Sequence, residues 1–364
     1  MISSTRNQYN PDFVTPPGDF LLEKLEELGM SQTDLAERIG RTKKTVNEII
    51  KGKAPILSET ALQLEHVLAI PARFWTNAEG QYREFLARAE ERAKLNAHLE
   101  LLDKIPIKKM VKMGWLPKRD DSIANLQDAL NFFGVGSPEA LEQIGKAKCL
   151  AFRQSAVHRV DEHALLAWIR KGELEAQRQH CAPYDEKQFR QALHEIRSLT
   201  RESASEFIPA MVRICAAAGV ALVFVPEIPG VRAWGVTHWV SPEKAVIQLS
   251  LRGKTDDHLW FTFFHEAAHV LLHPKRDIFV ELDGTIDSRE EEANRFASDF
   301  LIPAPAWQLV ARTRPHSAGE IKLLADRIGV AAGIIVGRLQ REKLLPWTHL
   351  NGLKQKLQFG FECQ

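Results

Sequence analysis

The chain has 364 residues, 45% hydrophobic and 26% charged, which excludes wholesale disorder and exceeds what one hydrophobic core usually serves. Its 48 Lys and Arg balance 47 Asp and Glu, so a net charge of +1 confines any nucleic-acid footprint to a local patch. Cys149, Cys181, Cys215 and Cys363 form no CxxC pair, which argues against a cysteine zinc ribbon or a disulfide framework and fits a reducing compartment.

Residues 1–17 read as a flexible lead, broken by Pro11, Pro16 and Pro17, with no apolar stretch of signal-peptide length. The longest apolar runs are too short to span a bilayer, so the expected location is cytoplasmic, with no membrane partner. Helical periodicity dominates residues 18–88. Phe20, Leu21, Leu25 and Leu28 form one stripe, closed by Gly29. Ser31 is placed to cap a helix that ends at Gly40, and Thr42 a second helix over residues 43–50. Leu35, Ala36, Ile39, Val46, Ile49 and Ile50 would pack the two together, with the small Ala36 at the crossing. Thr42, Lys43, Lys44 and Asn47 then stand where a recognition helix reads bases, and Gln32 and Lys51 where phosphates pass.

This stretch, from PGDFLLEKLEELGMSQTDLAERIGRTKKTVNEIIKGKAPI through ETALQLEHVLAIPARFWTNAEGQYRE, resembles the HigA-type antitoxin branch of the XRE helix-turn-helix family. The resemblance implies a homodimer on a palindromic operator and raises a toxin-like partner.

Residues 89–200 form a charged helical spacer or packing region, with amphipathic patterns over 124–133, 163–168 and 189–199. Beyond Gly219 the period changes. Strands are predicted over 220–225, 234–239 and 244–251, giving a small mixed sheet before helices resume from Leu259. The fold class is thus mainly α with a small mixed β-sheet: an N-terminal all-α helix-turn-helix domain (18–88) and a C-terminal α+β domain (201–345), zincin-like by the resemblance given below. Residues 346–364 make a C-terminal tail, with its last dozen residues loosely held. A helical pair around Gly329-Val330 is assigned to packing.

The run His265-Glu266-Ala267-Ala268-His269 sits in a strongly apolar helix. Positions four apart share a helix face, so both imidazoles can meet one ion, half of a tetrahedral zinc (Zn2+) site. Glu266 can reach water at that ion as general base. The third ligand is expected from the next acidic helix. At about 100° per residue, Asn294, Ala297 and Leu301 return to the direction of Glu290, while Glu291 and Glu292 turn away to solvent. Glu290 is therefore the metal ligand and Asn294 its outer partner. His273, another turn past His269, is expected to hydrogen-bond from outside or hold substrate.

FTFFHEAAHVLLH followed by EEEANRFASDFLIP resembles the ImmA/IrrE family of metallo-endopeptidase-like domains, with Ala267-Ala268 where the family often has a larger residue and glycine. The resemblance implies zinc on His265, His269 and Glu290, with Glu266 as catalytic base. A regulator that cuts a protein target follows; the alternative is a non-proteolytic repressor whose zinc domain senses or binds a partner.

Overall fold

The computed structural model describes residues 13–153, 161–275, 277–282 and 288–357. Most of the expected lead and the last residues of the expected tail lie outside them. The chain divides into two compact units, Met1–His98 and Leu99–Gln364.

The first unit holds α1 (Pro17–Glu27), α2 (Gln32–Arg38), α3 (Lys43–Ile50), α4 (Ser58–Leu68) and α5 (Ala72–Ala97). Ser31 and Asp34 cap α2 reciprocally, the Asp34 amide donating to Ser31 Oγ at 3.1 Å. Gly40 takes the left-handed conformation that stops this helix (φ +65°), and Thr42 Oγ1 accepts the Thr45 amide at 3.1 Å to start α3. Leu21, Leu35, Ala36, Val46, Ile49 and Trp75 form the buried core. The unit boundary falls beyond α5, because that helix runs unbroken across residues 88 and 89.

In the second unit, α6 (Leu101–Lys104), α7 (Ile107–Lys112), α8 (Ser122–Phe133), α9 (Pro138–Arg153), α10 (Glu162–Arg178), α11 (Glu186–Ser198) and α12 (Ala204–Ala217) precede the sheet. Strands β1 (Val220–Phe224), β2 (Ala233–Ser241) and β3 (Lys244–Leu249) are followed by α13 (Asp256–Leu272) and β4 (Phe279–Leu282). Then come α14 (Ser288–Leu301), α15 (Ala304–Thr313), α16 (Ala318–Ile328) and α17 (Ala332–Arg341). The sheet order is β1-β3-β2-β4, with β1 parallel to β3 and β2 antiparallel to both neighbours. Strand β4 corrects the expectation of helix alone after Leu259. At four residues it is too short for its alternation to stand out from the helices on either side.

Register decides what each sheet face carries. Gly235 pairs with Leu249 and Glu281, and Thr237 with Ile247 and Phe279, so these residues share one face, against which α13 packs. Gln248 points the other way, toward α10, donating to the Trp168 carbonyl at 2.8 Å. Part of the region expected as spacer therefore buttresses the sheet. Phe207, Trp260, Phe263 and Phe264 fill the core, joined by Ile321, Ile335 and Leu339 from the helical pair around Gly329.

The expected loose tail is a second correction, as far as Leu357. Lys354 Nζ meets Asp257 at 2.7 Å, the Gln355 amide donates to Asp256 Oδ1 at 2.9 Å, and Leu357 is buried. A polar segment gains this order through groups distant in the chain, among them the acids at the start of α13, nearly a hundred residues earlier.

Candidate metal centre

The apolar flanks of α13 force it into the core and carry His265, Glu266 and His269 with it. These side chains, and Glu290 from α14, are at most 4% exposed. His265 Nε2 lies 3.0 Å from His269 Nε2 and 3.0 Å from Glu290 Oε2, and His269 Nε2 lies 3.6 Å from Glu290 Oε1. Ligand atoms around a tetrahedral zinc ion, bonded at 2.0–2.1 Å, stand about 3.3 Å apart. The three donors bracket that spacing, so this N,N,O set fits such an ion.

Each ring is also held on its far side. His265 Nδ1 is 3.2 Å from Asn294 Oδ1, so a proton donated there leaves Nε2 with its lone pair toward Glu290. His269 Nδ1 is 2.8 Å from His273 Nδ1, and His273 Nε2 is 3.3 Å from Glu292 Oε2. The same logic gives His269 a free Nε2 and ends the relay on a carboxylate. Glu292 stays exposed, as expected above, and gains a contact with His273 that its helix direction alone does not show. Glu291 is exposed. The Phe279 ring stacks on His269 with centroids 4.3 Å apart, fixing the imidazole plane.

Glu266 faces the sheet. The Thr237 hydroxyl lies 2.6 Å from its Oε2, whereas Oε1 is buried with no hydrogen-bond partner. Gly235 makes the room: a Cβ there would come within 2.5 Å of Oε1. Two residues along β4 from Phe279, on the same face, Glu281 lies within 4.8 Å of both His265 and Glu266. Gly235, Thr237 and Glu281 were not singled out in the sequence. Only the β2–β4 register brings them here.

Burial raises the Glu266 carboxyl well above the usual range. Burial also opposes charge on His265, but Glu281, Glu290 and Glu266 outweigh it and lift this ring to about 9. Burial, reinforced by the neighbouring His265, His273 and Arg289, holds His269 well below the usual value. A metal must displace the His265 proton, since only the neutral ring ligates. Apparent metal affinity is therefore expected to rise about tenfold per pH unit below 9 and to level off above it. Chelator competition at pH 7, 8 and 9 checks this, and a flat profile would contradict it.

In the first unit, Thr42, Lys43 and Lys44 are exposed and Asn47 is half-buried at the start and along one side of α3. Gln32 is half-buried at the first turn of α2, and Lys51 is exposed just past α3. Lys44 Nζ is 3.8 Å from Glu48, an exposed and weak pair that does not tie the lysine down.

Among the described residues no helix is long and apolar enough to cross a membrane. An IrrE N-terminal-like domain model matches residues 228–340, and a helix-turn-helix model matches residues 21–75. Over 75 residues, 21% of this chain and 78% of the relative, it is 31% identical to the uncharacterized HTH-type transcriptional regulator YddM of Escherichia coli. Similar solved structures include an addiction module antidote protein of a HigA family from Coxiella burnetii. It is 28% identical with a TM-score of 0.22, over 23% of this chain and 91% of that one. A Pseudomonas aeruginosa protein solved with its operator DNA is 29% identical with a TM-score of 0.21, over 21% of this chain and 85% of that one.

Proposed function

Because the chain belongs to the helix-turn-helix transcriptional regulators and carries an IrrE N-terminal-like domain, we propose that it is an operator-binding homodimer whose second unit is a zinc-dependent endopeptidase acting on a protein target. The convergence of His265, His269 and Glu290, with Glu266 beside them, carries this proposal.

A zinc ion held by His265, His269 and Glu290 supplies Lewis acidity for a peptide carbonyl and lowers the pKa of water. Asn294 and the His273–Glu292 pair orient the two rings. Glu266 accepts the proton of the attacking water and returns it to the departing amide nitrogen. Thr237 fixes one Glu266 oxygen, which leaves the other to do this work. Three protein donors are the number a catalytic zinc site would take from the protein, whereas a purely structural site usually closes with four. Comparing cellular proteomes of wild type and Glu266→Gln tests the proposal. One or more proteins should be shortened only in the wild type, and identical proteomes, with the operator genes expressed, would oppose it.

On the DNA side, Thr42, Lys43, Lys44 and Asn47 approach the major groove, and Gln32 the backbone. Lys51→Ala, just past α3, is expected to weaken all sequences alike and reduce the salt slope by about one. Asn47→Ala should cost about 1–3 kcal/mol on the operator and relax preference at one base pair. Salt-dependent binding on operator and scrambled DNA separates these outcomes; equal behaviour of the two variants would refute the assignment.

A further inference from the structure

Beside the candidate metal centre, a cleft of about 340 Å³ is bordered by His265, Phe261, Glu281, Trp234 and Trp347. Arg341, at the end of α17, reaches into it. Its guanidinium carbon lies 3.5 Å from the centroid of the Phe261 ring, and Phe261 is one helical turn before His265. Stacking on a ring face holds a guanidinium flat while leaving its N–H edges pointing outward.

Several of the other charged groups nearby are engaged, whereas Oε2 of Glu281 is buried without a hydrogen-bond partner. Arg338, one turn earlier on α17, donates to the Ser298 and Ile302 carbonyls at 2.8 and 3.0 Å and to Glu342 at 3.1 Å. Asp257 is paired with Lys354 at 2.7 Å, and Glu290 with the two histidines. Among the described residues the Arg341 guanidinium makes no hydrogen bond and no ion pair, although the Glu281 charge acts on it across the cleft. A cation oriented by an aromatic face, with its donors free and opening on the candidate reaction centre, is a built acceptor for an anion.

We propose that Arg341 anchors a carboxylate of the substrate, so that the cleft selects an acidic side chain or a free chain terminus next to the bond cut. The substrate part of this inference rests on the peptidase proposal; the carboxylate preference itself does not. The probes are short peptide hydroxamates that differ only in glutamate against glutamine beside the chelating group. A neutral pair with a free or an amidated terminus distinguishes the two sources of carboxylate. Binding to the full chain is read by tryptophan fluorescence, with and without metal, because Trp234 and Trp347 border the cleft.

Wild type is expected to favour one carboxylate source over its neutral partner by about 10- to 100-fold, the worth of charged hydrogen bonds. Absolute affinity should fall without metal while the ratio persists, so failure of the metal reading leaves this result legible. Arg341→Gln should bring the ratio to about one, and Arg341→Lys should keep part of it. Equal binding of charged and neutral probes by the wild type, or an intact preference in Arg341→Gln, would overturn the proposal.

Discussion

Glu266→Gln is expected to lower hydrolysis of the target protein roughly a thousandfold while metal content stays at the wild-type level. The substitution keeps the shape of the side chain, and its amide oxygen can still accept the Thr237 hydroxyl that now lies 2.6 Å from Oε2. What disappears is the proton acceptor at Oε1, the oxygen that is buried without a partner beside His265. The ligands His265, His269 and Glu290 are untouched, so binding and turnover separate. Metal analysis and a cleavage assay on the same preparation check this. Cleavage within tenfold of wild type would remove Glu266 from the mechanism, and joint loss of metal would make its role structural.

Chelation should lower the thermal midpoint of the second unit by about 10 °C. Without an ion, two imidazoles and the Glu290 and Glu266 carboxyls remain crowded in a site where all are at most 4% exposed. With free zinc a thousandfold above its dissociation constant, linkage stabilises the folded state by about 4 kcal/mol, and each kcal/mol moves the midpoint of a unit this large by about 2–4 °C. Readdition of zinc should restore the midpoint. His269→Ala should begin low and respond to neither treatment. A midpoint indifferent to chelator in the wild type would mean that the four groups are satisfied without an ion.

Much of the candidate centre was legible because one helix carries most of it. Four-residue spacing on α13 and the turn-by-turn direction of α14 depend on local geometry alone, and they singled out His265, His269, Glu290 and Asn294 as one group. The capping residues Ser31 and Thr42 were legible for the same reason. Gly235, Thr237 and Glu281 were not, since their common face is set by the pairing of β2 with a four-residue strand nearly forty residues later. Glu292 is solvated as its helix direction implied, but its contact with His273 was not legible, because that ring arrives from outside the helix. Arg341 was silent for a similar reason: nothing near it in sequence marks Phe261 as its platform. Long-range packing accounts for each of these gaps.

The most direct measurement is anomalous X-ray scattering, recorded at the zinc edge from crystals of the full-length chain grown with zinc. One strong peak is expected within about 2.0–2.2 Å of His265 Nε2, His269 Nε2 and a Glu290 oxygen, and none at that place in Glu290→Ala crystals. A peak elsewhere, or density for an ordered water among those three side chains with zinc in excess, would contradict that expectation.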